Sequence, residues 1–71
     1  MKYQAVFFLD PYDVGVRDVI MTEDLDELVD RSADYLRQHD CGYTLLSFDG
    51  RRWKSLDRVP YRLINQRLGR F

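Results

Sequence analysis

Residues 22–38 read TEDLDELVDRSADYLRQ, and this stretch decides the fold because it predicts one long amphipathic helix. Its inward stripe follows the i, i+3, i+4, i+7, i+8 and i+11 spacing of one helix face, and the members are Leu25, Leu28, Val29, Ser32, Ala33 and Leu36. Thr22 is predicted to cap the first turn, and Gly42 to end the helix in the left-handed conformation. Because a one-sided helix must bury its stripe, the flanking segments are expected to supply the opposing layer.

The segment before the helix predicts two strands. Residues 3–9 and 14–21 are rich in β-branched and aromatic side chains. Between them, Asp10-Pro11-Tyr12-Asp13 is a turn signal, since proline presets the backbone angle of a central position and aspartate accepts hydrogen bonds from the turn. This part of the chain is therefore expected to contribute two strands to an antiparallel sheet.

A hairpin is predicted after the helix. Residues 43–48 and 51–56 flank Asp49-Gly50, which is a strong signal for a two-residue turn. The resulting alternation places the larger apolar residues on the core face of the hairpin and the others on the outer face. The core-facing set is Leu46, Phe48 and Trp53, and the outer set is Tyr43, Leu45, Arg52 and Lys54.

The last fifteen residues allow two interpretations. Asp57 can cap a short helix near residues 59–68, with Pro60 in its first turn and Gly69 at its end. The alternative is a tail that becomes ordered on a partner. Residues 1–71 are thus predicted to form a single α+β domain. It has a small antiparallel sheet in β-β-α-β-β order, one long helix packed on one face, and a short C-terminal helix or tail.

Composition indicates the class of protein. Hydrophobic residues make up 45% of the chain, enough to expect a folded domain and not a disordered one. Cys41 is the only cysteine, so no internal disulfide can form and a cytoplasmic location is expected. No apolar run approaches the ~20 residues of a membrane-spanning helix, so no membrane association is expected.

No pattern in the chain indicates catalysis. His39 is the only histidine, and together with a single cysteine it makes no recognisable zinc-binding pattern. The four glycines are isolated from one another, so there is no glycine-rich phosphate loop. We therefore expect a protein that is not an enzyme and has no catalytic residue, metal site or cofactor.

Charge is strongly divided along the chain. Residues 1–50 hold eleven of the twelve acids and four of the eleven bases, a formal charge of −7, whereas residues 51–71 carry +6. The near-neutral total of −1 therefore conceals two opposite poles. Such polarity influences encounters with other charged surfaces and does not determine the fold.

The acidic pole coincides with the predicted solvent side of the long helix. Asp26, Asp30 and Asp34 follow at i, i+4 intervals, where each like-charge pair costs roughly a few tenths of a kcal/mol. One interpretation is an ordinary solvated face. The other is that Asp26, Glu27, Asp30 and Asp34 contact a basic surface of a protein partner. Ion pairs between these carboxylates and arginines of the same chain would remove the case for such a partner.

The basic pole also has more than one interpretation. Arginines alternate there with aromatic residues, a combination typical of single-strand nucleic-acid binding and of protein–protein hot spots. The candidate contacts are Arg51, Arg58, Arg62, Arg67 and Arg70, with a second partner contact at Tyr43, Arg52 and Lys54 on the outer sheet face. The slightly negative total charge argues against nucleic acid as the main ligand.

In organisation, the chain resembles the small single-domain inhibitors that bacteriophages direct against host machinery, such as phage RNA polymerase inhibitors and anti-CRISPR proteins. The resemblance lies in small size, divided charge and lack of catalytic residues, and it transfers no site. It implies a protein-binding module that occupies a partner's surface through the acidic helix face. Two alternatives stay open: a nucleic-acid-binding protein that uses the basic segment, and a homodimer formed through an apolar strand at a sheet edge.

Overall fold

The computed structural model describes residues 1–8 and 15–70. Within these residues the elements follow the predicted β-β-α-β-β-α order, which confirms the α+β class. They are β1 (Lys2–Phe8), β2 (Val16–Thr22), α1 (Leu25–Gln38), β3 (Gly42–Phe48), β4 (Trp53–Ser55) and α2 (Arg58–Leu68). The turn predicted at residues 10–13 lies outside the described residues.

The strands form one antiparallel sheet in the order β2-β1-β3-β4. Strands β2 and β3 therefore run parallel to each other on opposite sides of β1, and α1 connects them. This is a split β-α-β arrangement, in which β1 is inserted between two strands that a helix joins. The sequence predicted the order of elements along the chain, whereas the pairing of β1 with β3 appears in the structure alone.

Alternation along β1 and β3 decides which side of the sheet is buried. Ala5 pairs with Leu45 across these strands, Phe7 lies on the same side, and all three are fully buried. The predicted face assignment of the hairpin is therefore wrong: Leu46, Phe48 and Trp53 lie on the side away from the core. Both sides of the hairpin carry large apolar residues, so their size does not identify the core side, and pairing with β1 decides it.

The β3–β4 hairpin also has a longer loop than predicted. Phe48 pairs with Trp53, so residues 49–52 form a four-residue loop in place of a two-residue turn. The Asp49 side chain stabilises this loop, because it accepts hydrogen bonds from the backbone N–H groups of Arg51 (2.8 Å) and Arg52 (3.0 Å). Gly50 has a φ of 99°, a left-handed conformation that glycine adopts without a steric penalty.

The ends of α1 differ from the prediction by a few residues. Asp24, and not Thr22, is the N-cap, since its side chain accepts from the backbone N–H of Asp26 at 3.0 Å. Thr22 is instead the last residue of β2, where it pairs with Tyr3. The helix ends at Gln38, so the predicted stop at Gly42 is wrong: Gly42 is the first residue of β3.

The C-terminal segment is a helix, which excludes the tail. Asp57 caps α2 by accepting from the Val59 N–H at 3.2 Å, and Gly69 ends it with a φ of 73°. Ile64 is fully buried in the same core as α1, and the Tyr61 hydroxyl accepts from the Leu45 N–H at 2.8 Å. Both helices therefore cover the same side of the sheet, an arrangement that the sequence did not predict.

One core cluster holds the helices against the sheet. The predicted stripe of α1 is buried except for Leu25, which is partly buried. Together with β1, β3 and α2 it forms a cluster of Ala5, Phe7, Leu28, Val29, Ala33, Leu36, Leu45 and Ile64. Burial of a large apolar side chain contributes about 1.5–3 kcal/mol, so this cluster is the main source of stability. Ser32 lies in the same layer, and its hydroxyl has no hydrogen-bond partner among the described residues.

Candidate binding surface

The sheet has an outer face, the side opposite the helices. Side chains alternate along a strand, so the residues that point away from Ala5, Phe7 and Leu45 define it. They are Lys2, Gln4, Val6, Phe8, Val16, Val19, Met21, Gly42, Thr44, Leu46, Phe48, Trp53 and Ser55. Eight of these are large and apolar, and none of the eight packs against the core cluster. The sheet therefore presents a second apolar surface besides the one that the helices bury.

Three aromatic rings lie on the outer face. Phe48 and Trp53 face each other across β3 and β4, with their ring centroids 5.2 Å apart. Phe8 lies over Gly42 on the neighbouring strand, and a Cβ atom at Gly42 would collide with the Phe8 ring. Glycine at this position leaves the space that the ring occupies. All three aromatic residues are half-buried by their neighbours, so part of each side chain stays accessible.

The outer face carries no carboxylate, although twelve of the 71 residues are acidic. Lys2 is the one charged member of the set. At the end of the face where Phe48 and Trp53 lie, the hairpin loop adds Arg51 and Arg52, and neither forms an ion pair with a described residue. The electrostatic character of this surface is thus neutral over most of its area and positive at one end.

Asp49, the acid in that loop, is engaged by its own loop. The backbone N–H of Arg52, the Lys54 ammonium at 2.9 Å and the backbone N–H of Arg51 together hold the pKa of Asp49 below its usual value. These contacts stabilise the ionised carboxylate. Its charge is compensated by Lys54 and the loop backbone, so the Arg51 and Arg52 side chains have no carboxylate partner among the described residues.

The predicted acidic surface is largely occupied by arginines of the same chain. Glu27 pairs with Arg31 at 3.6 Å. Asp34 pairs with Arg37 at 2.6 Å, and Asp30 pairs with Arg67 of α2. Of the four predicted carboxylates, Asp26 alone forms no ion pair with a described residue. The condition that removes the case for an external basic partner is therefore met for three of the four.

The second predicted contact does not form one surface. Tyr43 lies on the helix side of the sheet, so its predicted position on the outer face is wrong. Its hydroxyl donates to Asn65 at 3.4 Å and its ring contacts that of Tyr61, while burial raises the pKa of its phenol. Lys54 shares that side of the sheet and pairs with Asp49, and Arg52 lies in the loop.

The predicted basic residues are divided between two elements. Arg51 is in the hairpin loop, Arg67 pairs with Asp30, and the remaining arginines of the set, Arg58, Arg62 and Arg70, are exposed on or just after α2. The aromatic residues interleaved with them also separate, because Trp53 is on the outer face and Tyr61 is on the helix side. The alternation seen in the sequence therefore does not become one stacking surface. Arg62 and Arg70 line a shallow groove of about 370 Å³ on α2.

The remaining features of the described residues that could bear on function are their capacity to hold a metal ion, His39, Cys41 and the length of the helices. No group of three or more His, Cys, Asp or Glu residues there could hold a metal ion. The Arg17 guanidinium lies 3.1 Å from Nδ1 of His39, which therefore acts as the acceptor. Burial raises the pKa of the Cys41 thiol. Neither described helix is long and apolar enough to cross a membrane.

Comparison with known proteins found no matching family model, no matching curated protein and no matching solved structure. The outer face is consequently the main feature on which a function can be argued. Sequence reasoning singled out Leu46, Phe48 and Trp53 but assigned them to the core. Alternation in residues 2–8 could not have corrected this by itself, because it concerns the sides of β1 and does not show which hairpin residues pair with that strand.

Proposed function

We propose that this protein is a small non-catalytic protein-binding module, and that its partner contacts the outer face and not the acidic side of α1. One observation carries the proposal: eight apolar residues form a continuous sheet surface that the core does not use and no carboxylate enters. Apolar surface removed from water stabilises a complex by about 25 cal/mol per Å². Apolar side chains on a sheet face that stays in water do not stabilise the protein, whereas the same side chains stabilise a complex when a partner covers them.

The composition of the outer face supports a protein as the partner. The buried centres of protein–protein interfaces are depleted of charged residues and enriched in aromatic residues and methionine. The outer face has this character, with Phe8, Phe48, Trp53 and Met21 and a single charge at Lys2. Its three aromatic residues are the natural anchors, because hot spots are enriched in large aromatic side chains.

Nucleic acid fits the same face less well. A single-strand binding surface combines stacking rings with a positively charged groove that follows the phosphates. The outer face offers rings, but its positive side chains are Lys2 within the face and Arg51 and Arg52 at one end. Phosphates that crossed the rest of the face would meet no cation.

The charge distribution also specifies the partner's chemistry. Lys2, Arg51 and Arg52 gather near the Phe48–Trp53 end of the face, and among the described residues none of the three forms an ion pair; Asp49 nearby is engaged by its own loop. The matching partner is a protein with an apolar patch bordered by carboxylates at one end. A module that occupies such a patch on a host machine would act as an inhibitor, in line with the organisational resemblance to phage inhibitors.

Two isosteric substitutions test the proposal. Gln4→Glu places one carboxylate in the middle of the outer face, between Met21 and Leu46 of the neighbouring strands. Gln66→Glu makes the same chemical change on the exposed side of α2 and serves as the matched control. The tagged full chain and both variants are used for affinity capture from a nuclease-treated lysate of the natural host. An unpaired carboxylate buried at an interface is costly, so Gln4→Glu should weaken capture roughly tenfold or more.

Each result has a defined meaning. A protein captured by the wild type and by Gln66→Glu but lost with Gln4→Glu supports the outer face as the site. Equal capture by all three chains, or capture that disappears on nuclease treatment, contradicts the proposal, and the second result points to nucleic acid. Loss of capture with Asp30→Lys/Asp34→Lys, together with full capture by Gln4→Glu, would return the site to the acidic side of α1.

A further inference from the structure

The two edges of the sheet differ in their capacity to pair with another strand. Strand β4 is three residues long and contains Lys54, and the loop before it carries Arg51 and Arg52. Short length and positive charge are the usual means by which proteins block an edge. Strand β2 has seven residues and no proline, it carries the charged residues Arg17 and Asp18 near its start, where its register with β1 shifts, and among the described residues it pairs with β1 alone. The β2 edge is therefore the one open to a further strand.

Exposed apolar side chains are concentrated on this edge strand. Val16, Val19 and Met21 are 59%, 41% and 54% exposed, and they are three of the five large hydrophobic residues that lie exposed in the described part of the chain. All three belong to the outer face. A strand added beside β2 would contact the flank of these side chains through cross-strand neighbours and would satisfy the backbone groups of the edge.

We propose that β2 pairs in antiparallel fashion with β2 of a second copy of this chain, which joins the two sheets into one of eight strands. Symmetry favours a second copy over another partner strand. A twofold β2–β2 contact uses both open edges and leaves the two short β4 edges at the ends, so the assembly closes as a dimer. Pairing of β2 with β4 of another copy would have three residues to use and would extend without end.

The charges on and next to β2 favour one register of this contact over the others. A twofold axis perpendicular to the sheet at Ile20 places Arg17 opposite Glu23 of the second copy, and Val19 opposite Met21. Axes at Arg17 or at Asp18 would instead place like charges directly opposite each other, which is destabilising. Glu23 is exposed, and the Arg17 side chain contacts His39; neither forms an ion pair with a described residue.

One local contact must be exchanged when the strands pair. The backbone N–H of Val19 donates to the Asp18 carboxylate at 2.9 Å, a local contact on the edge strand. In the dimer the same N–H would donate to a backbone carbonyl of the second copy, and the Asp18 side chain would turn to solvent. The exchange replaces one hydrogen bond by another, so it is not a barrier to pairing.

The dimer would also enlarge the outer face. Three strands of seven residues and one of three residues, about 4.8 Å apart, give roughly 380 Å² of one face. A standard protein interface uses about 800 Å² per partner, so one copy alone presents a small surface and two joined copies present a full one. The dimer proposal stands on the β2 edge and does not depend on the proposed function.

A charge exchange tests the contact and its register. The mass of the full chain is measured by sedimentation equilibrium over a concentration series, for the wild type, Arg17→Glu, Glu23→Arg and the double variant. The wild type should approach twice its 8.5 kDa monomer mass. Each single variant should weaken dimerisation by roughly tenfold, since two cross-strand pairs become repulsive. The double variant should recover it, because the exchanged charges again attract.

The recovery cannot arise within one copy. Within one copy, residues 17 and 23 are separated by the length of β2, about 20 Å, which is too far for an ion pair. Glu23→Arg is the cleaner single variant, since Arg17→Glu also removes the contact with His39. A wild type that stays monomeric at every concentration, single variants that dimerise as the wild type does, or a double variant that fails to recover would each overturn the proposal. Far-UV circular dichroism confirms that all four chains are folded.

Discussion

At the scale of single residues, Ser32 stands out as a polar side chain buried among the apolar residues of the core. It is fully buried in the inward stripe of α1, and its hydroxyl has no hydrogen-bond partner among the described residues. A buried polar group without a partner costs about 1–3 kcal/mol, because its hydrogen bonds to water are lost on folding and not replaced. The helix and the surrounding apolar residues offset this cost.

Ser32→Ala is therefore expected to stabilise the protein by about 1 kcal/mol. The change removes the unpartnered hydroxyl and also introduces a better helix former. Urea denaturation of the wild type and the variant measures the difference in unfolding free energy. Ser55→Ala, at an exposed position of β4, is the matched control and should change stability very little. A clear loss of stability in Ser32→Ala would show that the hydroxyl is bonded in solution.

At the level of elements, the β3–β4 hairpin depends on one side chain. Asp49 accepts hydrogen bonds from two backbone N–H groups of its loop and pairs with Lys54 at 2.9 Å. The same contacts lower the pKa of its carboxyl group in the folded protein, those with Arg52, Lys54 and Arg51 being the cause. The loop that borders the outer face is thus shaped by an ionised aspartate.

This dependence predicts a pH effect on stability. A carboxyl group with a lowered pKa in the folded state stabilises the fold above its ordinary pKa of 3.8, and the contribution is lost as the pH falls through the lowered value. Asp49→Asn should therefore be less stable than the wild type at neutral pH, and the two should converge in acid. Unfolding free energies measured across this pH range provide the check. A difference that grows on acidification would contradict the assignment.

At the scale of the whole molecule, the divided charge of the sequence is partly resolved by folding. Asp30 of α1 pairs with Arg67 of α2, and the Arg37 guanidinium donates to the backbone carbonyl of Arg67 at 3.1 Å. Acidic and basic poles that are far apart in the chain therefore meet where the two helices pack. All of these side chains are substantially exposed, so their ion pairs are expected to contribute little.

Comparison of two substitutions shows whether charge or burial holds α2 in place. Asp30→Asn should cost less than about 1 kcal/mol, because exposed ion pairs contribute about 0–1 kcal/mol. Ile64→Ala, which empties a fully buried position of α2, should cost about 2–5 kcal/mol. Chemical denaturation measures both. Equal losses would show that the contact between the helices is mainly electrostatic, and the acidic side of α1 would then be structural.

Much of the local structure is determined by the sequence alone. The stripe of α1 and the two ends of α2, at Asp57 and Gly69, were predicted and are present. The order of the elements was also predicted. These features depend on interactions between residues within about one helical turn, such as capping and side-chain periodicity, and a sequence displays such interactions directly.

The candidate site was decided by the tertiary structure. Ala5 and Phe7 of β1 pair with β3 and turn Leu45 inward, which leaves Leu46, Phe48 and Trp53 on the open side. Partners in these contacts are tens of residues apart. Both sides of the hairpin are apolar, so neither side is marked as the core until β1 pairs with it. The length and composition of each segment are local properties, whereas the side that it buries depends on distant segments.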